Sequence, residues 1–237
     1  MARMTEPTFP KDGDFLEGKS VPVTLSGPAG TIEAIVEGPE PGTPPRPLVV
    51  VVCHPLPTEG GTMHNKVVTM TARAMHQSGA ATVRFNFRGV GSSEGSFEDG
   101  AGEADDLRAV VAWVREQRPE AELWLAGFSF GSYVAYSVAE ELSPGMLVLI
   151  APPVSRGYGF DRITPFSGRW LVIQGDADEV VDPEAVYAWV DGLAHPPELV
   201  RIPDTSHFFH RKLMDLRGAV KNGIRPHLPA ATTTPDD

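Results

Sequence analysis

The chain has 237 residues, 41% of them hydrophobic and 22% charged, an ordinary globular composition and a length suited to one α/β domain. Its 20 Lys+Arg against 31 Asp+Glu leave a net charge of -11, which argues against a phosphate-backbone partner and so against nucleic acid. Met1 to Ser20 holds Arg3 and Lys11 but no continuous apolar run, so neither a signal peptide nor a membrane span is expected, and a cytoplasmic protein is.

Residues 21–25 and 31–37 show apolar alternation around Ser26-Gly27-Pro28-Ala29-Gly30, which predicts a hairpin. The tract from Pro39 to Pro47 reads as a stiff surface connection. Leu48 to Cys53 is β-branched and continuous, the pattern of a parallel strand covered on both faces. Cys53, the one cysteine, has no intramolecular disulfide partner and reads as a small buried hydrophobe. The strand runs into His54-Pro55-Leu56-Pro57. Proline has no N–H, so the first free backbone donor after His54 is Leu56. Val67, Val68, Met70, Ala74 and Met75 then recur at helical core spacing.

Ala81 to Phe87 is the next strand. The loop from Arg88 to Gly95 misses a dinucleotide fingerprint by one residue, because Glu94 stands where the third glycine is needed. Residues 103–117 predict a helix with Leu107, Val110, Val111 and Val114 inward. Its Glu103, Asp105 and Asp106 lie in the first turn, where carboxylates favour the helix dipole, and are read as structural.

A buried strand with Leu123, Trp124 and Leu125 leads into Gly127-x-Ser129-x-Gly131, and a helical run to Leu142 follows. A strand that turns directly into a helix strains the corner residue and lifts its side chain from the sheet edge. Ser129 would then present its hydroxyl beside the Phe130 N–H. The plain alternative is a glycine-punctuated turn with a capping serine.

Met146 to Ile150 and Trp170 to Ile173 are further buried strands. Residues 151–169 between them are too few for a folded cap domain, which leaves an open site roofed at most by a loop carrying Tyr158, Phe160 and Phe166. An acidic cluster at 176–182 precedes a helix at Pro183, and a short strand from Glu198 to Ile202 runs into His207. Residues 210–221 look helical. The expected layout is an N-terminal segment 1–19, one domain 20–222, and a disordered tail 223–237.

Alternating strands and helices force a mostly parallel sheet whose ligand site lies at the carboxyl ends of the strands. His54, Leu56, Ser129, the acidic cluster and His207 all fall there. The motifs C-H-P-L-P, G-G-T-M-H-N-K-V-V, F-N-F-R-G-V-G-S-S-E-G, G-F-S-F-G, Q-G-D-A-D-E-V-V and H-F-F-H occur in that order. On them the chain resembles the α/β-hydrolase superfamily, and in particular its small lidless bacterial branch related to the dienelactone-hydrolase type. The resemblance covers roughly residues 20–215. It implies an α/β-hydrolase fold, a sheet of about eight strands with helices on both faces, and no cap domain. It also implies Ser129 as nucleophile, Asp178 as the acid ending G-x-x-D, and His207 as the base. Leu56 departs from the branch, which usually has a second histidine there; a backbone donor survives that change. Ser129 stands where dienelactone hydrolases proper use a cysteine.

These residues would perform two-step acyl transfer, with Leu56 and Phe130 N–H groups as the oxyanion hole. Activity would rise with pH through the ordinary histidine range as His207 becomes neutral. Asp176 and Asp182 are rival acids, though Asp182 before Pro183 has the form of a helix cap. His210 is the rival base. His64, His76, His195 and His227 read as ordinary surface or helix residues, and no Cys/His spacing suggests a metal. No cofactor is implied. Candidate pocket residues are His54, Phe128, Pro153, Tyr158, Val180 and Phe208.

The expected activity is carboxylic-ester hydrolysis on small, accessible acyl esters, with peptidase or thioesterase chemistry on the same residues as the alternative. A small-molecule acyl substrate, and neither nucleic acid nor membrane, is the expected partner. A non-catalytic binding protein would lack one of the three site residues, and none is missing. Lyase or perhydrolase chemistry in the same fold stays open.

Overall fold

A computed structural model of the chain describes residues 7–10 and 20–232. β1 (Ser20–Gly27) and β2 (Gly30–Glu37) form the hairpin expected around Pro28 and Ala29. β3 (Leu48–Cys53), α1 (Lys66–His76), β4 (Ala81–Phe85), α2 (Ala101–Gln117), β5 (Glu122–Phe128), α3 (Phe130–Leu142), β6 (Met146–Ile150), β7 (Trp170–Gly175), α4 (Pro183–Asp191), β8 (Glu198–Ile202) and α5 (Leu213–Ile224) follow. The eight strands make one sheet in the order β1-β2-β4-β3-β5-β6-β7-β8. The hairpin pairs antiparallel with β4, and every pairing from β4 to β8 is parallel.

Continuous apolar runs reach both faces because successive side chains in a strand point opposite ways. Val49, Val51 and Cys53 pack toward Leu107, Val110 and Val111 of α2 and Val134, Ala135 and Val138 of α3. Leu48, Val50 and Val52 pack toward Val67, Val68 and Met75 of α1 and Leu216, Val220 and Ile224 of α5. The sheet is therefore the middle layer of three. No helix among the described residues is long and apolar enough to cross a membrane.

The chain steps from β3 outward to β4, then returns past β3 to β5 and continues the other way. The loops leaving β3 and β5 diverge at this reversal and open a crevice at the carboxyl ends of the strands. Residues 151–169 hold only two 3-10 turns, Val154–Arg156 and Phe160–Arg162, so the crevice has no cap.

Several boundaries differ from the expected ones. β4 stops at Phe85 because Asn86 N–H donates to the Glu33 carbonyl and Phe87 N–H to His54 Nε2. The segment 1–19 lies outside the described residues except for 7–10, where Phe9 stacks on Trp113. The disordered tail expected from 223 is corrected for 223–232. Ile224 is buried in the core under β7, Gly223 sits against Leu171, and Thr232 N–H donates to the Pro45 carbonyl. Residues 233–237 lie outside the described residues.

Candidate active site

The corner between β5 and α3 carries the strain that its motif demands. Ser129 has φ 51° and ψ -120°, a left-handed conformation that costs a non-glycine residue of order 1–3 kcal/mol. Its neighbours must be small. A Cβ on Gly127 would overlap the Gly131 carbonyl, and one on Gly131 would overlap the Cys53 carbonyl. The turn is held by the Ser129 N–H to the Ile150 carbonyl at 2.8 Å and by the Ser132 hydroxyl to the Ser129 carbonyl at 2.6 Å.

His207 arrives on the loop after β8, and its backbone N–H donates to Glu179 Oε2 at 3.1 Å. The imidazole lies on the ring of Phe128, 5.0 Å between centroids. Its Nε2 is 3.0 Å from Ser129 Oγ and its Nδ1 is 2.8 Å from Asp178 Oδ2. Asp178 Oδ1 accepts the N–H groups of Val180 and Val181 at 2.9 and 2.8 Å, while Gln174 Nε2 donates to Oδ2 at 3.1 Å. Burial alone would push the Asp178 carboxyl up. The His207 hydrogen bond and charge, with the two backbone donors, outweigh it and hold the group below its ordinary value. An ionised carboxylate only accepts, so Nδ1 carries the imidazole proton and Nε2 is free to accept from Ser129.

Ser129, His207 and Asp178 thus form one hydrogen-bonded chain. The rivals lie elsewhere. Asp176 is exposed and accepts the Asp204 N–H at 2.7 Å; Asp182 accepts the Glu184 N–H at 3.1 Å as the cap of α4; His210 is exposed before α5. Leu56 and Phe130 both line the pocket over Ser129, and among the described residues neither backbone N–H has an acceptor.

The pocket encloses about 430 Å³. Pro153, Tyr158, Val180 and Phe208 line it, and Phe208 is 43% exposed at its rim. His54 and Phe128 do not. His54 is fully buried beneath the loop, its Nδ1–H donating to the Pro55 carbonyl at 2.6 Å and its Nε2 accepting the Phe87 N–H at 3.0 Å. Burial lowers it to about 4, against the smaller opposing effect of the Pro55 carbonyl, so it is a neutral brace between the β3 and β4 loops. Phe128 faces α5 and supports the His207 ring from below. Phe160 and Phe166 also turn inward: Phe160 stacks on Tyr136, leaving Tyr158 to cover the site. His76 ends α1, a helix residue as read, with its Nε2 2.8 Å from the Thr82 hydroxyl, and burial lowers it to about 4.

Further lining residues include Glu59, Gly61, Asn65, Arg156 and Val181. Gly61 and Asn65 belong to the G-G-T-M-H-N-K-V-V motif and Val181 to Q-G-D-A-D-E-V-V, while Glu59 and Arg156 end short 3-10 turns whose course no periodicity specifies. Glu59 and Arg156 form no ion pair or hydrogen-bonded partnership through their side chains among the described residues. No group of three or more His, Cys, Asp or Glu among the described residues is placed to hold a metal ion.

A strained serine between strand and helix, an accepting histidine and a crevice at the strand reversal define the serine-hydrolase class on an α/β scaffold. The chain belongs to the α/β-hydrolase family: residues 44–170 match the family described as serine aminopeptidase, S33. The crystal structure of XC6422 from Xanthomonas campestris, described as an α/β serine hydrolase without lid, is 56% identical and superposes with a TM-score of 0.89 over 96% of this chain and 100% of that one. An α/β serine hydrolase homologue from Coxiella burnetii is 42% identical, with a TM-score of 0.82 over 85% of this chain and 96% of that one. The uncharacterized protein RP471 of Rickettsia prowazekii is 31% identical over 209 residues, 84% of this chain and 87% of that one.

Proposed function

We propose that the protein hydrolyses carboxylic esters of small acyl compounds through an acyl-enzyme on Ser129. The observation that carries this is the unbroken hydrogen-bonded chain from Asp178 through His207 to Ser129, in a pocket also lined by Leu56 and Phe130, whose N–H groups are unengaged among the described residues. Ser129 Oγ attacks the carbonyl carbon as His207 Nε2 takes its proton, and Asp178 holds the imidazole in the accepting tautomer and balances the imidazolium. Leu56 and Phe130 N–H groups hold the carbonyl oxygen as it becomes negative, each worth about 3 kcal/mol by comparison with measured oxyanion donors. Collapse expels the alcohol, which leaves with the proton from His207. Water then repeats the sequence on the acyl-serine, releasing the acid and restoring the Ser129 hydroxyl.

The uncapped pocket suits short acyl groups on accessible esters. A second reading, cleavage of aminoacyl amides, is favoured by the Glu59 carboxylate in the pocket wall, unpaired among the described residues and able to receive a substrate ammonium. Matched short-chain ester, thioester and aminoacyl-amide substrates separate the two. The ester should have the highest kcat/KM; faster amide turnover would reverse the assignment.

A further inference from the structure

Gln174, next to last in β7, has a polar account that stability does not explain. Its side chain is fully buried. Both amide hydrogens are used: Nε2 donates to the Gly175 carbonyl at 3.1 Å and to Asp178 Oδ2 at 3.1 Å. Its Oε1 is buried with no hydrogen-bond partner among the described residues. Turning the amide over would set the carbonyl against two acceptors, so the orientation is forced. A buried carbonyl without a donor is a net cost to stability, and an apolar side chain of the same size would avoid it.

We propose that Gln174 is a positioning residue for the candidate triad, fixing Asp178 Oδ2 where it meets His207 Nδ1 and sharing the carboxylate charge with it. This rests on the proposed function above. The carboxylate receives four donors, two on each oxygen. Gln174 and His207 converge on Oδ2, so Gln174 decides both where that oxygen stands and how much of its charge the imidazole sees. Without this donor the carboxylate is freer to rotate about its bond, and its charge falls more fully on the His207 ring. Imidazolium is then favoured, and the proton leaves at higher pH.

The test is Gln174→Met, which keeps volume and removes both the donor and the orphaned carbonyl. Its readouts are melting temperature and the rate of Ser129 phosphonylation by a fluorophosphonate as a function of pH. In that reaction Oγ bonds to phosphorus, fluoride leaves and His207 takes the hydroxyl proton. The variant should melt no lower than wild type. Its labelling should slow by about ten- to a hundredfold, the scale of a misplaced catalytic group, and its acid limb should move to higher pH. A structural role predicts the opposite combination, a lower melting temperature with an unmoved acid limb, and that result overturns the proposal. Wild-type labelling rates in Gln174→Met overturn it as well.

Gln174→Glu gives a second reading in a side chain of the same shape. Once ionised it adds a negative charge beside Asp178, and the acid limb should move further up; an unmoved limb there counts against the proposal. Wild type that takes no label at all would remove the serine-nucleophile reading, and this one with it.

Discussion

Asp178 Oδ2 stands 2.8 Å from His207 Nδ1, with Gln174 Nε2 on the same oxygen and two backbone N–H groups on the other, so four donors together hold the carboxylate in one orientation toward the imidazole. Asp178→Asn can offer an NH₂ to Nδ1 and favour the tautomer that leaves Nε2 protonated, unable to accept from Ser129. Activity should fall about ten-thousandfold, as in measured triads with the same change. Asp176→Asn should retain activity, because its amide oxygen can still accept the Asp204 N–H. Steady-state rates of the two purified variants decide the acid; the reverse ranking would place it at 176.

Acid stability should depend on His54. Its folded value of about 4 lies below the ordinary 6.5, so between those pH values the unfolded chain holds a proton that the folded chain refuses. Stability is therefore undiminished above about 6.5 and falls as pH drops toward 4, by about 3 kcal/mol from this group. Urea unfolding at both ends of that window should show a smaller pH difference in His54→Gln than in wild type. An unchanged difference would mean that His54 is not the group responsible.

Asp106 should prove structural. Its carboxylate accepts the Arg88 backbone N–H at 2.9 Å and pairs with the Arg88 guanidinium at 2.8 Å, and both side chains are buried. Asp106→Ala leaves a buried cation with only the exposed Glu98 for a partner, which should cost about 3–5 kcal/mol in urea unfolding. A cost below 1 kcal/mol on this scale would show that Arg88 relaxes into solvent.

Arg156 and Glu59 should set a charge preference. They are the two fixed charges in the pocket lining, of opposite sign, on the loops that follow β6 and β3. The ratio of kcat/KM for nitrophenyl hemiglutarate to that for neutral nitrophenyl pentanoate should fall about threefold in Arg156→Gln and rise in Glu59→Gln, more weakly at high salt. Ratios that do not move would leave both charges outside the substrate's reach.

The elements that built this fold were legible because their patterns are local. Unbroken apolar runs at Leu48 and Met146 need cover on both faces, and Gly127 and Gly131 leave room for a strained Ser129. Their position beside motif residues points His54 and Phe128 toward the pocket. The direction of a side chain at a strand end depends on packing: Phe87 N–H draws His54 under its loop, and the His207 ring covers Phe128. Gln174 opens the Q-G-D-A-D-E-V-V motif, but its contact with Asp178, four residues away across a turn, is made only by the folded backbone.

The most direct test is intact-mass measurement after fluorophosphonate treatment of wild type and Ser129→Ala. The geometry predicts a single adduct on wild type and none on the variant. A folded wild-type protein that gains no mass, or a Ser129→Ala protein that gains the same mass, would contradict Ser129 as the activated nucleophile.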